Sequence, residues 1–330
     1  MRGSMKDVGR RYGWAAGLLA LVMLLLGAGI WILFHNDYSV RQNEHRHRFG
    51  AVYMTLNNPF YEIINEEIRT AVENNGDVLI SRNPELSVER QTEEIQELLA
   101  SGIEVLFLNA VDWQQMEPAL ELAYRAHVPV IVIDTKVQED RLVACTVVSN
   151  NYMAGVQCAR HLVTHAAGGK IALLKHSEAK SGVDRIQGFM DTIAQYPAFV
   201  VVDSEECQGQ LEQAMPAMER MLRRHNDIDV VMALNDPSAL GAMAALQNVG
   251  RTPGQVRIYG VDGAPETKQM IASGDMTATA AQSPHLLGRL AVKQAYELLA
   301  GQQPIHLVEL PTLLITKENI GDVNITGWNQ

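Results

Sequence analysis

Cysteine is scarce in this sequence: Cys145, Cys158 and Cys207 are the only three. Their number is odd and their spacing is not that of metal ligands, which argues against a disulfide framework and against a zinc site. Positive charge is also short, with 27 Lys and Arg against 38 Asp and Glu and a formal net charge of −11. A phosphate backbone calls for clustered Lys and Arg, so nucleic acid is not an expected partner. The signatures of common catalysts are missing too. There is no G-x-S-x-G, no H-E-x-x-H, no phosphate loop and no G-x-G-x-x-G after the first strand. No cofactor or metal is expected, and His45-Arg46-His47 reads as a solvated linker. No short repeat marks a solenoid or propeller.

What is present begins with an apolar run. Residues 15–34, AAGLLALVMLLLGAGIWILF, carry no charge and are long enough to cross a hydrocarbon core as a helix. Arg2, Lys6, Arg10 and Arg11 precede the run, which makes residues 1–14 a cytoplasmic basic stub and places the rest outside. The run exceeds the usual signal-peptide core, and its best small-residue site, Gly27-Ala28-Gly29, is followed by more apolar residues. The expectation is therefore an uncleaved single-pass anchor, with a cleaved signal and release to the periplasm as the alternative. No cysteine near its end offers a lipid attachment point. Residues 35–48 read as a linker.

The remaining sequence has the composition of a folded α/β body, within a chain that is 47 % apolar and 20 % charged. Apolar runs at 51–56, 78–80, 105–108 and 128–133 alternate with helical patterns at 60–74, 88–100 and 116–126. After a strand at 143–148 the alternation starts again and continues to a long helix at 284–300. Gly168-Gly169 and Gly274 stand where helix C-caps are expected. Continuous apolar strands separated by helices predict parallel sheets, and two successive series predict two doubly wound lobes.

Ligands of open α/β sheets bind beyond the carboxyl ends of the strands. Polar residues gather there: Asn57 and Asn58 after the first strand, then Asn109, Asp134-Thr135, Asn235-Asp236, Asp262 and Gln282 after later ones. Each alone reads as a turn or cap residue. Together, on two facing lobes, they would converge on one cleft.

The same positions carry a family resemblance. VYMTLNNPFYEII, VLFLNAVD, VPVIVIDTK, DRIQGF, VVMALNDPSALGAMAALQNVG, RIYGVDG and TATAAQSPHLLG occur in that order over residues 49–315. The set resembles the ribose-type periplasmic sugar-binding proteins, the soluble partners of sugar ABC importers. The resemblance implies a type I binding-protein fold with a three-crossover hinge near residues 149–150, 282 and 310. The first lobe would then comprise 49–149 with 283–309, and the second 150–282 with 310–330. It implies ligand contacts from Asn58, Phe60, Tyr61, Asn109 and Asp134 in one lobe and from Arg185, Asn235, Asp262 and Gln282 in the other, with Thr135 where ribose binders carry arginine. Val261 replaces an aromatic residue, and Cys207-Gln208-Gly209-Gln210-Leu211 lacks the ring expected there, which puts ribose itself in doubt.

Amides donate and accept, carboxylates accept from hydroxyl pairs and a guanidinium donates through a planar fork, so the set suits a polyol. Two acids against one arginine favour a neutral or aminated ligand over a carboxylate, unless the three charges only pair with one another. The expected role is capture by hinge closure and delivery to an ABC permease. An anchored receptor signalling to a membrane sensor kinase is the alternative, and a glycoside-processing enzyme using Asp134 and Asp262 a remoter one. A transcription repressor sharing the fold is excluded, because a membrane segment stands where its DNA-binding helices would be.

Overall fold

A computed structural model describes residue 18 and residues 21–28, 46–251 and 254–328. The basic stub, most of the apolar run and most of the linker lie outside the described residues. Leu18 and residues 21–28 are helical, and their large apolar side chains are exposed. Among the described residues no helix is long and apolar enough to cross a membrane.

The body, His47–Gln330, is one unit. Its chain runs β1 (Arg48–Val52), α1 (Pro59–Asn74), β2 (Val78–Arg82), α2 (Val88–Ala100), β3 (Val105–Leu108), α3 (Glu117–Arg125), β4 (Val130–Ile133) and β5 (Cys145–Ser149). It continues with α4 (Asn151–His165), β6 (Gly169–Lys175), α5 (Lys180–Ile193), β7 (Phe199–Glu206), α6 (Leu211–Arg224), β8 (Val230–Ala233), α7 (Asp236–Asn248) and β9 (Arg257–Asp262). The last elements are α8 (Pro265–Ser273), β10 (Ala278–Ala281), α9 (Pro284–Leu299), β11 (Leu307–Leu310) and β12 (Leu313–Thr316).

Two sheets result, in the orders β11-β5-β4-β3-β1-β2 and β12-β10-β9-β8-β6-β7. All neighbours are parallel except β12, which runs antiparallel to β10. The central strands VLFL, VIVI and VVMA are buried at every residue, because helices cover both faces of each sheet. The chain passes between lobes after β5, after β10 and between β11 and β12. The Asn150 N–H donates to the Leu310 carbonyl at 2.7 Å and its amide to Glu309 at 2.9 Å, which binds two of these crossovers together. Helix α9 returns to the first lobe, where Gly288 lets it approach the Ile64 carbonyl of α1.

Two local expectations are revised. Gly274 does cap α8 in the left-handed region, at φ 92°. Gly168 and Gly169 do not cap α4, which ends in extended backbone at Ala166. Gly169 opens β6, and Gly168 is small because the Ala198 carbonyl crowds it. His47, at the end of the expected linker, is tied into the body by Asp77 and Glu104.

The lobes are closed on each other. Trp113, beyond β3, donates its backbone N–H to the Glu178 carbonyl at 3.0 Å and its indole N–H to the Ser177 carbonyl at 3.2 Å. The Lys180 ammonium lies 5.6 Å from the same ring, within reach of a cation–π attraction.

Candidate ligand-binding site

Between the lobes, at the carboxyl ends of the strands, lies a cleft of about 340 Å³. The first lobe lines it with Asn58, Phe60, Tyr61 and Asp134, and the second with Arg185, Asn235, Asp262 and Gln282.

Local structure fixes each of these side chains. Asn58 is the N-cap of α1, its Oδ1 accepting the Phe60 N–H at 3.0 Å, with Pro59 opening the helix. That cap turns Phe60 and Tyr61 inward, where both are buried. The Tyr61 hydroxyl donates to Asp134 Oδ2 at 3.3 Å. Burial and then the Asp134 charge push the Tyr61 phenol well up, so it serves as a neutral donor.

Asp134 follows β4 with φ 68°, and Asp262 ends β9 with φ 134°. Left-handed backbone at a residue with a Cβ is strained and gathers at functional sites. At Asp134 the Thr135 N–H reaches back to the Ile133 carbonyl at 2.8 Å, a three-residue turn that aims the carboxylate into the cleft. Burial raises both carboxyls above their ordinary range, and Arg185 opposes the rise in each.

Arg185 is fixed from behind. Helices α4 and α5 cross so closely that a Cβ on Gly155 would strike the Arg185 carbonyl, and one on Gly188 the Tyr152 carbonyl. The approach lets Arg185 Nε donate to Asn151 at 2.8 Å and Nη1 to the Leu234 carbonyl at 3.0 Å. The guanidinium stands 3.8 Å from Asp134 and 3.7 Å from Asp262. Both are ion-pair separations too long for a hydrogen bond. A hydroxyl placed between them can donate to the acid and accept from the arginine. Asp134 Oδ1 is buried with no hydrogen-bond partner, a condition that costs about 1–3 kcal/mol until a donor arrives.

Asn235 caps α7 by accepting from Ser238 and donates to the Gly209 carbonyl at 3.0 Å. Its neighbour Asp236 is structural. One oxygen accepts the Gly263 and Ala264 N–H groups at 2.9 and 2.8 Å, and the other accepts the Thr279 hydroxyl at 2.7 Å. These bonds hold the turn from which Asp262 projects, and burial pushes the Asp236 carboxyl up to about 6. Gln282 donates to Asp262 at 2.8 Å.

Asn109 and Thr135, expected as ligand contacts, are placed behind the wall. The Asn109 side chain accepts from the Met54 N–H at 3.1 Å and donates to the Ile133 carbonyl at 3.2 Å, bracing strand ends. Thr135 accepts the Ser181 N–H at 3.1 Å, a bond from one lobe to the other. Conversely, His176, Gln208 and Gln210 line the cleft without having been singled out. His176 directly follows β6, so the strand-end rule pointed at it. Gln208 and Gln210 occupy the loop where a ring was expected, and present amides instead. Buried His176 has its Nε2 without a hydrogen-bond partner, and desolvation lowers it to about 4. Among the described residues no group of three or more His, Cys, Asp or Glu could hold a metal ion.

Two doubly wound lobes closed over a polar cleft, with the chain crossing between them three times, define a type I periplasmic binding protein. Comparison with known proteins agrees: residues 49–303 match the model of the periplasmic binding protein domain, and the chain belongs to that family. It is 28 % identical to the ribose import binding protein RbsB of Bacillus subtilis, over 84 % of this chain and 89 % of that one. Among solved structures, an ABC transporter solute binding protein from Mycobacterium smegmatis with bound glycerol shares 29 % identity at a TM-score of 0.80. That match covers 86 % of this chain and 98 % of the other. The arabinose-transporter binding protein from Shewanella sp. ANA-3, bound to L-arabinofuranose, shares 25 % identity at a TM-score of 0.77, over 83 % of this chain and 93 % of its own. These relatives are binding proteins, and this chain is a binding protein rather than an enzyme.

Proposed function

We propose that the body captures a monosaccharide or related polyol outside the cytoplasm by hinge closure and delivers it to an ABC importer. The observation that carries this reading is the buried Asp134–Arg185–Asp262 array, spaced too widely for direct hydrogen bonds and with Asp134 Oδ1 uncommitted. Such an array is matched by the paired donors and acceptors of adjacent hydroxyls. A carboxylate ligand would meet two acids and one arginine. The ribose, glycerol and arabinofuranose named for the relatives support the same ligand class.

Thermal melting of the full chain in detergent, against pentoses, hexoses, inositols, amino sugars and amino acids, tests the reading. A ligand at 100 times its dissociation constant adds about 2.7 kcal/mol. One sugar should raise the melting temperature, and Asp134→Asn and Asp262→Asn should each abolish the rise. A response confined to amino acids, or to no compound, sinks the proposal.

Residues 15–34 are proposed as the membrane tether, from their uncharged length. The same feature favours a second reading, a tethered receptor that reports its ligand to a sensor kinase. Gene deletion separates the two: lost sugar uptake means import, and lost transcriptional response with normal uptake means sensing.

A further inference from the structure

Beside the cleft lies a larger cavity, about 670 Å³, that the capture of a single sugar ring does not use. Its character is different. Pro59, Leu211, Pro237 and Leu240 give it apolar walls, the Trp328 indole forms one side, and Glu212, Asp236 and Glu266 are its acidic residues.

Two observations connect this cavity to the cleft. First, Asn58 and Gln210 line both spaces. Asn58 belongs to the first lobe, where it caps α1, and Gln210 to the second, where its amide donates to the Gln208 carbonyl at 3.4 Å. The boundary between cavity and cleft is therefore a seam between lobes, which parts and closes with the hinge. A ligand clamped there can have one portion on each side.

Second, the Trp328 wall is held in place by a buried cation. Lys268, fully buried in α8, donates to the Asn324 and Gly327 carbonyls at 2.7 and 2.6 Å. An ammonium removed from water is costly unless its hydrogen bonds are made. Here they are made to the tail that carries Trp328. The indole lies edge-on to Phe60, with ring centroids 5.9 Å apart, and Phe60 itself lines the cleft. This tail lies beyond the residues 49–303 that match the family model.

The geometry points to an aglycone subsite: the ligand is a neutral glycoside whose sugar occupies the cleft and whose apolar, ring-bearing substituent occupies the Trp328 cavity. The inference rests on the sugar-binding reading above. Glu212 and Glu266 disfavour a phosphate or carboxylate substituent, and the apolar walls give a second hydroxyl-rich ring few partners.

The test is calorimetric titration of the full chain in detergent with D-ribose, D-allose, D-galactose and L-arabinose, each as free sugar, methyl glycoside and phenyl glycoside. For the sugar that binds, the phenyl glycoside should bind about tenfold more tightly than the methyl glycoside, from burial of the ring against Trp328. Trp328→Ala should erase that advantage and leave methyl glycoside affinity within about twofold, about 0.4 kcal/mol. Leu240→Trp, which fills the cavity without disturbing the tail, should do the same. Equal affinities for methyl and phenyl glycosides overturn the subsite while sugar binding stands, as does a Trp328→Ala variant that weakens both alike with Leu240→Trp silent. No binding by any sugar or glycoside overturns both readings.

Discussion

His176 shows how one buried side chain couples folding stability to pH. It faces Glu178 at 3.7 Å and feels the charges of Glu206 and Asp112, yet desolvation dominates and lowers it from 6.5 to about 4. Between those values the folded protein binds fewer protons than the unfolded chain. Stability from this group is therefore complete above pH 6.5 and is lost as the pH falls toward 4. The loss is on the order of 3 kcal/mol. His176→Gln should flatten that part of the melting temperature against pH, and an unchanged acid slope would refute the assignment. The sequence placed polar residues at the correct sheet edge, because a strand's end is legible as the end of an apolar run. It could not tell which of them point into the cleft. Asn109 and Thr135 sit at strand ends like Asn235 and Gln282, but their side chains serve the Met54 and Ser181 amides. That choice depends on local backbone rotation and on the opposite lobe, neither of which is written in the spacing.

Among the elements, the crossing of α4 and α5 matters most to the site. Gly155 and Gly188 permit backbone contact there, and Arg185 is aimed by it. Gly188→Ala should separate the helices, destabilise the protein by about 1–3 kcal/mol through overpacking and weaken ligand binding. Gly274→Ala is the contrast. It strains the left-handed cap of α8 at φ 92°, costs about 1–2 kcal/mol, and should leave affinity unchanged. Melting and titration of both variants separate the two effects. If Gly188→Ala binds ligand normally, the helix crossing does not position Arg185. The strands were the most legible elements, since VLFL, VIVI and VVMA are buried on both faces and read as unbroken apolar runs. The Gly168-Gly169 pair does not act as a cap because Gly168 answers to the Ala198 carbonyl and Gly169 to Asp229 and Val230, neighbours distant in sequence.

At the scale of the molecule, closure is held by contacts made directly between the lobes. Trp113 bonds across to the Ser177 and Glu178 carbonyls, and Thr135 to Ser181. A ligand need supply only the difference between closed and open states that these contacts leave. Trp113→Ala should therefore weaken every ligand by one common factor, about 3- to 10-fold, and small-angle scattering should show a larger ligand-free radius. A ligand-selective loss would place Trp113 in recognition instead. The three crossovers have a consequence for biosynthesis. Strands β1 to β5 emerge first, but the covering helix α9 begins only at Pro284 and the edge strand β11 at Leu307. The first lobe to leave the ribosome is thus completed only after the whole of β6 to β10 has been made. A nascent chain in that condition keeps an unfinished sheet for most of its synthesis, open to chaperones and threadable through a secretion channel before it can fold.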